Sequence, residues 1–409
     1  MPELFTVLPP VDALKVLLEY LPTLVRTESI ATEHALDRVL AESPVAPSSL
    51  PSFPRSTVDG YAARAADTFG ATESLPAYLT VVGEVSMGRA PEVTVGPAQA
   101  AVVYTGGMIP TGADAVVMIE RTQKLDTNNI EVLRAVAPGE NVIQIGEDVK
   151  EGESLLGPGH VLRPQDVGGL LAVGITQVKV AAQPRVAIVS TGDEVVPPDV
   201  TPGRGQVRDV NTYTVAGLVK HAGGVPLPQG IVGDDFGSLL SASRAGLDAA
   251  DALAISAGSS VSTRDLTAEV VNRLGQPGVL VHGVSVKPGK PTILGVCSSK
   301  PVFGLPGNPV SAMVVAGLFL VPVLWRMQGT SQPPARRVKA RLTHNVASVP
   351  GREDYVQVKV IERDGQFWAD PVFGKSNLIY TLVKAEGMVC VPLDSNGLHD
   401  GEWVEVELF

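Results

Sequence analysis

The segment RVAIVSTGDE, residues 185–194, decides the fold of the central part of this 409-residue chain. After Arg185 it is a short continuous apolar run, which is typical of a strand buried on both faces of a parallel sheet. A polar loop follows directly, and ligands of open α/β sheets bind at the carboxyl ends of strands. The alternative is a plain turn that uses Gly and Asp for their backbone conformations. The candidate ligand residues are Ser190, Thr191, Gly192, Asp193 and Glu194.

Beyond this strand, helical and apolar segments alternate along the chain. Such alternation predicts a parallel sheet with right-handed crossovers and helices on both faces, which is a three-layer α/β/α domain. We expect Asn211 to cap the first helix, which ends at Gly223-Gly224. The later elements are predicted at 225–232 (strand), 235–249 (helix), 252–256 (strand), 264–274 (helix), 279–286, 292–296 and 301–304 (strands), and 309–327 (helix).

Two further loops follow predicted strands. In SAGSS, residues 256–260, small residues would let a ligand approach the backbone, and Ser256, Gly258 and Ser260 are the candidates. GLPGNPVS, residues 304–311, predicts a helix start with Asn308 as N-cap and Pro309 in the first turn. The free amides of that turn also favour an anion. Its candidate substrate-binding residues are Pro306, Gly307, Asn308, Pro309 and Ser311.

Two lysines, Lys287 and Lys290, bracket a rigid turn in KPGKP, residues 287–291. In an acidic protein, cations on such a loop suit a phosphate or another anion. A solvated turn is the alternative, since charged loops commonly face water.

Acidic residues lie on several loops, and each alone could be only a turn or a helix cap. Asp234-Asp235 and Asp265 stand at predicted helix starts. Asp59, Thr105 and Asp148 lie in the turn-containing segments STVDGYA, TGGMIP and GEDV. Together they supply hard oxygen ligands, which suit Mg²⁺ rather than Zn²⁺.

The flanking segments predict smaller, β-rich modules. An amphipathic helix over 11–21 and a second helical segment over 28–42 begin the chain, and residues 75–135 carry short apolar runs typical of strands. After the linker 332–334, alternation from Arg337 onward predicts a small β-barrel or sandwich. The predicted domains are 1–45 with 141–182 (an elongated module), 46–140 (a β-rich inserted module), 183–330 (the α/β domain) and 335–409 (the C-terminal β-barrel). The first helix could pack on the α/β domain.

Composition excludes several classes of function. A net charge of −11 disfavours nucleic-acid binding, and the two distant cysteines indicate neither a disulfide framework nor a zinc site. The apolar stretch 310–325 is short for a membrane span and contains Pro322, so we expect a helix in a soluble core. The first residues show no signal-peptide pattern, and a reducing cytoplasm is the expected location.

The ordered motifs resemble those of the molybdopterin molybdenumtransferases, a family that includes the C-terminal region of gephyrin. The resemblance runs from about residue 8 to the C-terminus. The motifs that carry it are STVDGYA, TGGMIPTGADAVV, GEDV, VSTGDEV, DVN, GDD, SAGSSVSTRD, KPGKP and GLPGNPVSA.

This resemblance implies insertion of molybdenum from molybdate into adenylylated molybdopterin, with release of AMP and a requirement for Mg²⁺. It also implies an elongated homodimer of four-domain subunits with a shared active site, and the α/β domain as the binder of molybdopterin. A molybdopterin adenylyltransferase is a possible partner, and neither nucleic acid nor membrane is expected. The implied catalytic residues are Asp59, Thr105, Asp148, Glu194, Asp234 and Asp265, with Glu194, Asp234 and Asp265 as metal ligands. Arg352 and Ser376 match the family's C-terminal motifs and are implied to bind substrate.

The sequence departs from the family at one functional segment. Ile143-Gln144-Ile145 stands where relatives often place arginines, which removes a basic group expected to face an anion. This keeps open an altered, non-enzymatic pterin-binding paralogue or a tungstate-specific enzyme. A gephyrin-like scaffold is a further alternative, which the lack of a fused adenylyltransferase domain disfavours.

Overall fold

The computed structural model describes residues 7–22, 25–257 and 261–409, with side chains of the last range described from residue 266. The chain divides into two compact units. One comprises residues 1–28, 37–41 and 180–409, and the other comprises residues 29–36 and 42–179.

The amino-terminal part, up to residue 181, consists mostly of short strands. Its helices are α1 (Pro10–Glu19) and α2 (Pro164–Ala172), with 3-10 helices at Thr32–His34, Ala65–Thr68 and Ile119–Arg121. Its strands are β1 (Thr27–Ala31), β2 (Arg55–Ser56), β3 (Gly60–Ala63), β4 (Ala77–Glu84), β5 (Gln99–Val103), β6 (Ala115–Met118), β7 (Thr122–Lys124), β8 (Asn129–Val132), β9 (Val142–Ile143) and β10 (Gln177–Ala181).

A six-stranded sheet in the order β6-β3-β5-β4-β8-β7 forms the centre of the second unit. Neighbouring residues of β3 face opposite sides, because Tyr61 and Ala63 join one buried cluster and Ala62 joins another. This period of two is what a strand covered on both faces requires. The four apolar runs of the sequence fall on β4, β5, β6 and β8, so the predicted β-rich N-terminal module is confirmed.

The prediction of a helix over 28–42 is wrong. The structure has β1 and a single 3-10 turn there. Thr32 is fully buried, and its hydroxyl donates to the Ile175 carbonyl oxygen over 2.8 Å. Tertiary contacts of this kind override the weak local helix signal, which β-branched residues already reduce.

Helix α2 lies within 141–182, for which the sequence predicted an elongated module but no helix. It begins with Pro164 in its first turn, and the Asp166 carboxylate accepts the Arg163 backbone N–H over 2.8 Å. Pro followed by an acidic residue at the helix start is a known sequence signal, so the element could have been predicted.

The α/β domain alternates strands and helices as expected. Its helices are α3 (Asn211–His221), α4 (Phe236–Ala249), α5 (Val261–Leu274), α6 (Pro309–Val315) and α7 (Val321–Met327). Its strands are β11 (Arg185–Thr191), β12 (Val195–Val196), β13 (Val207–Arg208), β14 (Val225–Val232), β15 (Ala252–Ala257), β16 (Pro277–His282), β17 (Val286–Lys287), β18 (Ile293–Cys297) and β19 (Lys300–Pro306).

The main sheet of this domain has the order β14-β11-β15-β19-β18-β16. The first four strands are parallel, and β18 runs antiparallel to both of its neighbours. Helices α4 and α5 contact each other, α3 contacts α6, and α3 and α4 both pack on β11. The three-layer α/β/α prediction is therefore confirmed. Helix α1 contacts β16 and β18.

The apolar segment forms a continuous helix from Pro309 to Met327, with α6 and α7 joined by a π-helical turn at Ala316–Leu320. It is 19 residues long, as predicted for 309–327, and it could cross a membrane by length and composition alone. However, 67% of an 18-residue window within it is buried inside the protein, as expected for a core helix. The π-helical turn directly precedes Val321-Pro322, where proline cannot donate a helical hydrogen bond.

The C-terminal domain is a closed β-barrel, as predicted. Strand β22 pairs with both β23 and β24 and closes the order β22-β23-β20-β26-β24 on itself. Strand β17 of the α/β domain pairs in parallel with β22. The elements are β20 (Arg337–Leu342), β21 (Val346–Ala347), β22 (Glu353–Arg363), β23 (Gln366–Pro371), α8 (Tyr380–Val383), β24 (Gly387–Val391), β25 (Gly397–Leu398) and β26 (Trp403–Leu408).

Candidate functional site

Four loops lie at one edge of the α/β sheet. Strands β14, β11, β15 and β19 are parallel neighbours, so their carboxyl ends meet at the same edge. The STGDE, GDD and GLPGNP motifs stand at three of those ends, and Ser256 and Ala257, the described part of SAGSS, stand at the fourth. The structure thus brings together loops that the sequence separates by more than a hundred residues.

The ends of β11 and β14 are joined by side-chain hydrogen bonds. The Thr191 hydroxyl lies 2.9 Å from Asp234 Oδ1 and 3.2 Å from the Gly233 carbonyl oxygen. The Asp234 N–H donates to Asp193 Oδ1 over 3.2 Å. Thr191 is buried, Asp234 is half-buried and Asp193 is exposed. These contacts place two carboxylates at the rim of the sheet.

The adjacent aspartates, Asp234 and Asp235, have different roles. Asp235 is the N-cap of α4, and its Oδ1 accepts the Ser238 N–H over 2.9 Å. This backbone hydrogen bond lowers the pKa of Asp235 below its ordinary value. Asp234 is free of capping and turns to Thr191.

Glycine is required at position 192. Its φ is +151°, and a Cβ there would lie 2.7 Å from Val195 Cγ2 and 2.9 Å from Glu194 Oε2. The exposed Glu194 carboxylate therefore folds back over the glycine. A side chain at 192 would displace Glu194 from this edge of the sheet.

The structure tests the expected metal ligands only in part. Within the ranges that it describes, no group of three His, Cys, Asp or Glu side chains is arranged to hold a metal ion. The Asp265 side chain lies outside those ranges, as do Gly258 and Ser260. Glu194 and Asp234 do lie at the same sheet edge, and their carboxylate oxygens are the ligands that Mg²⁺ prefers.

A cavity of about 670 Å³ lies beside the ends of β15 and β19. Its wall combines the KPGKP loop, the loop before α6 and three segments of the barrel. The predicted site residues that line it are Lys287, Lys290, Pro306, Gly307, Asn308, Ser311, Arg352 and Ser376. Residues from two domains of the same unit thus meet in one pocket.

Asn308 occupies the N-cap position of α6, but its side chain makes no capping hydrogen bond. Its Nδ2 donates to Ser376 Oγ over 3.1 Å, and the Val310 N–H donates to the Ser376 carbonyl oxygen over 3.1 Å. The expected side-chain cap is therefore wrong, because Ser376 of the barrel takes the Asn308 amide. Pro309 does stand in the first turn, as expected.

The cavity wall carries three cationic side chains. Lys287 Nζ donates to Asp354 Oδ2 over 3.2 Å, and Arg352 Nε donates to Asp354 Oδ1 over 2.7 Å. Lys290 is exposed and forms no ion pair with the described residues. Gly289 between the lysines has φ +122°, and a Cβ there would lie 2.4 Å from Val315 Cγ2.

Asn211, at the start of α3, was expected only as a helix cap. The structure corrects this, because Asp209 Oδ1 accepts the Thr212 N–H over 3.1 Å at the start of α3. Asn211 Nδ2 instead donates to Ser256 Oγ and to the Gly307 carbonyl oxygen, each over 2.8 Å. Its buried Oδ1 has no partner among the described residues. Asn211 thus joins two of the four loops, which its DVN motif alone did not indicate.

In the second unit, the structure brings together Asp59 and Thr105 at the ends of β3 and β5. Asp59 Oδ1 accepts the Thr105 N–H over 2.8 Å and the Thr105 hydroxyl over 2.9 Å. These two bonds, the backbone one first, hold the pKa of Asp59 below its ordinary value although both residues are exposed. Asp59 is thus an oriented, ionised carboxylate at neutral pH.

Asp148 is placed on a separate turn of this unit. Its N–H donates to the Leu50 carbonyl oxygen over 3.1 Å, and its exposed carboxylate has no hydrogen bond to Asp59 or Thr105 in the described structure. Nearby, Ile145 is 58% exposed, so an apolar side chain faces solvent in the segment where a basic group was expected. Arg55 stands opposite Ile143 in the β2–β9 pair.

Three family models together match most of the chain. The model for the MoeA N-terminal region (domain I and II) matches residues 8–174. The model for a probable molybdopterin binding domain matches residues 187–326, and the model for the MoeA C-terminal region (domain IV) matches residues 339–409.

Individual relatives are similar over nearly the whole chain. The chain is 36% identical to a putative molybdopterin biosynthesis protein of Methanocaldococcus jannaschii, covering 95% of this chain and 94% of that protein. It is 34% identical to the molybdopterin molybdenumtransferase of Haemophilus influenzae, covering 96% of each. The crystal structure of the molybdopterin biosynthesis MoeA protein from Pyrococcus horikoshii OT3 is similar with a TM-score of 0.85 and 34% identity, covering 99% of this chain and 100% of that one.

Proposed function

We propose a substrate for this chain, which belongs to the molybdopterin molybdenumtransferase family and is a transferase of molybdenum cofactor biosynthesis. The proposed substrate is adenylylated molybdopterin. In this reaction molybdenum from molybdate is inserted into the pterin dithiolene, and AMP is released. The observation that carries the proposal is the cavity in which the KPGKP and GLPGNP loops meet the barrel residues Arg352 and Ser376.

The cavity suits an anionic ligand of moderate size. Its volume of about 670 Å³ falls within the range of small-molecule sites. Lys290 supplies an exposed cation, and the helix that starts at Pro309 directs its positive dipole end toward the same space. The protein as a whole carries a net charge of −11, which repels anions. The cationic wall therefore makes this cavity a favourable binding place for a phosphate-bearing ligand.

Carboxylates at the neighbouring strand ends would repel such a ligand unless a cation neutralised them. We propose that Glu194, Asp234 and Asp265 would hold Mg²⁺, which would supply positive charge at the phosphoanhydride. Thr191 orients Asp234 through its hydroxyl, and Gly192 leaves room for Glu194 to reach the same edge. The three carboxylates would thereby be compatible with an anionic substrate.

Asp59 is the carboxylate best prepared to order a reactant. Two hydrogen bonds from Thr105 fix its orientation and keep it ionised. An oriented carboxylate of this kind positions water or an incoming oxyanion through a shared proton. In the proposed enzyme Asp59, Thr105 and Asp148 would belong to an active site shared between the two subunits of a homodimer.

The proposed reaction takes place in the cytoplasm, with a molybdopterin adenylyltransferase as the source of substrate. Both cysteines of the chain, Cys297 and Cys390, are free thiols, which is compatible with a reducing compartment.

The test is an assay with purified protein, adenylylated molybdopterin, Mg²⁺ and molybdate, in which AMP release and cofactor formation are measured. We expect AMP to be released in proportion to the cofactor formed. Tungstate replaces molybdate in a parallel reaction, and turnover with tungstate alone would identify a tungstate-specific enzyme. Tight pterin binding without AMP release would refute the proposed activity and favour a non-enzymatic pterin-binding paralogue.

A further inference from the structure

Asp354 is a buried carboxylate between two cations that line the cavity. It is 2% exposed. Arg352 holds it with Nε on Oδ1 at 2.7 Å and Nη2 on Oδ2 at 3.3 Å, and Lys287 Nζ reaches Oδ2 at 3.2 Å. A buried charge is stable only when paired and hydrogen-bonded, and Asp354 satisfies both conditions.

Strand pairing accounts for this arrangement. Strand β17 pairs in parallel with β22, and Lys287 is the register partner of Asp354. Arg352 immediately precedes β22 and lies two residues from Asp354, a spacing that places side chains on the same face of an extended chain. The α/β domain thus contributes one cation, and the barrel contributes the other cation together with the carboxylate.

We propose that Asp354 is a positioning residue that holds Lys287 and Arg352 at the cavity wall, so that both are in place before the anionic substrate binds. The inference rests on the proposed function, because it assigns the cavity to the phosphate-bearing pterin. Long cationic side chains have high rotamer entropy when free. A shared carboxylate removes that freedom in advance, and binding then no longer has to order both side chains.

This proposal and a simple account based on charge predict opposite changes in the affinity for an anion when Asp354 is replaced. The two cations and Asp354 sum to one positive charge. If charge alone mattered, Asp354→Asn would add positive charge at the wall and would tighten the binding of an anion. If positioning matters, the same change releases Lys287 and weakens the geometry of Arg352, so that binding becomes weaker despite the gain in charge.

The experiment measures the dissociation constant of molybdopterin for the full-length wild-type protein and for Asp354→Asn, with thermal melting as a check on folding. We expect the dissociation constant to rise about tenfold in Asp354→Asn. In the enzymatic assay we expect KM to rise while kcat changes by less than about threefold, since Asp354 does not touch the reacting atoms. An unchanged or lower dissociation constant would overturn the proposal.

The matched control is Asp166→Asn. Asp166 is also buried and is held by Arg163 through Nε at 2.9 Å and Nη2 at 3.0 Å, but it belongs to the other unit. Asp166→Asn loses a comparable buried ion pair, so a lower melting temperature with an unchanged dissociation constant is expected.

A second variant keeps the proposal testable if Asp354→Asn folds poorly. Lys287→Met retains the Arg352–Asp354 pair, and we expect it to weaken molybdopterin binding about fivefold at an unchanged melting temperature. Wild-type affinity for Lys287→Met would contradict the proposal. Failure of the wild-type protein to bind molybdopterin at all would instead refute the proposed function, and the two outcomes are therefore distinguishable.

Discussion

Two Thr–Asp pairs, one in each unit, are built from the same two side chains and differ in how firmly the carboxylate is held. Thr105 uses both its N–H and its hydroxyl on Asp59 Oδ1. Thr191 has only its hydroxyl available for Asp234, and the Gly233 carbonyl oxygen competes for the same proton. A hydroxyl has one hydrogen to donate, so Asp234 is held less firmly than Asp59.

This difference suits the two carboxylates to the separate tasks proposed for them. Asp59 is fixed in one orientation, as required of a group that positions a reactant. Asp234 has oxygen lone pairs left over and can adjust, as required of a ligand for a cation that arrives with the substrate. Each substitution below changes one pair and leaves the other intact.

The largest effect is expected for Asp234→Asn. Loss of the carboxylate removes a proposed metal ligand, so kcat should fall by about 100-fold or more, whereas the melting temperature should stay unchanged. The neighbouring Asp235→Asn is the control, because an asparagine at this N-cap can still accept the Ser238 N–H, so both the stability and AMP release should change little. Equal loss of activity in both variants would contradict the separate roles of these two residues.

An intermediate effect is expected for Thr191→Val. The substitution is close to isosteric at a buried position and removes the only side-chain donor to Asp234 among the described residues. We expect the Mg²⁺ concentration for half-maximal AMP release to rise about tenfold, because second-shell hydrogen bonds orient metal ligands. If the Mg²⁺ dependence stays the same, Thr191 does not support a metal ligand.

The smallest effect is expected for Thr105→Val. The backbone N–H still donates to Asp59, so turnover should fall by only about two- to fivefold. The pKa of Asp59 should move upward toward its ordinary value of 3.8 but stay below it, because the first of its two causes remains. A carboxyl titration by NMR on both proteins measures the shift.

The sign of the pH dependence follows from the same pair. The folded pKa of Asp59 is lowered, so its contribution to stability is present above the unfolded value and is lost as pH falls through the folded value. Activity carried by ionised Asp59 should therefore show no acid limb from this residue above pH 3.8. A limb from Asp59 at higher pH in the wild-type protein would contradict the structure.

Local sequence was sufficient where the signal was local. The uncharged run after Arg185 predicted a buried parallel strand, and Pro309 predicted a helix start. Sequence failed where a distant partner decides the conformation. Thr32 donates a hydrogen bond to Ile175, and the Asn308 amide donates one to Ser376. Neither the conformation of residues 28–42 nor the cap of α6 could therefore be predicted from neighbouring residues.

The candidate site shows the same division. The loops at the strand ends could be predicted, because topology alone brings the ends of parallel strands together. The contact of Asp354 with Lys287 could not be predicted, since it depends on the register of β17 against β22 and joins residues that are 67 positions apart. Asn211 stood in a recognised motif, but its link between Ser256 and Gly307 is visible only in three dimensions.

Pairing of β17 with β22 has a consequence for how such proteins can be recombined in evolution. Strand β17 belongs to the chain of the α/β domain and to the sheet of the barrel at once. A gene fragment that encodes the α/β domain alone would leave this strand unpaired and would lose Arg352 and Ser376 from the cavity wall. Exchange of the barrel for an unrelated module would therefore remove five of the 24 residues that line the pocket, so this pocket requires both domains.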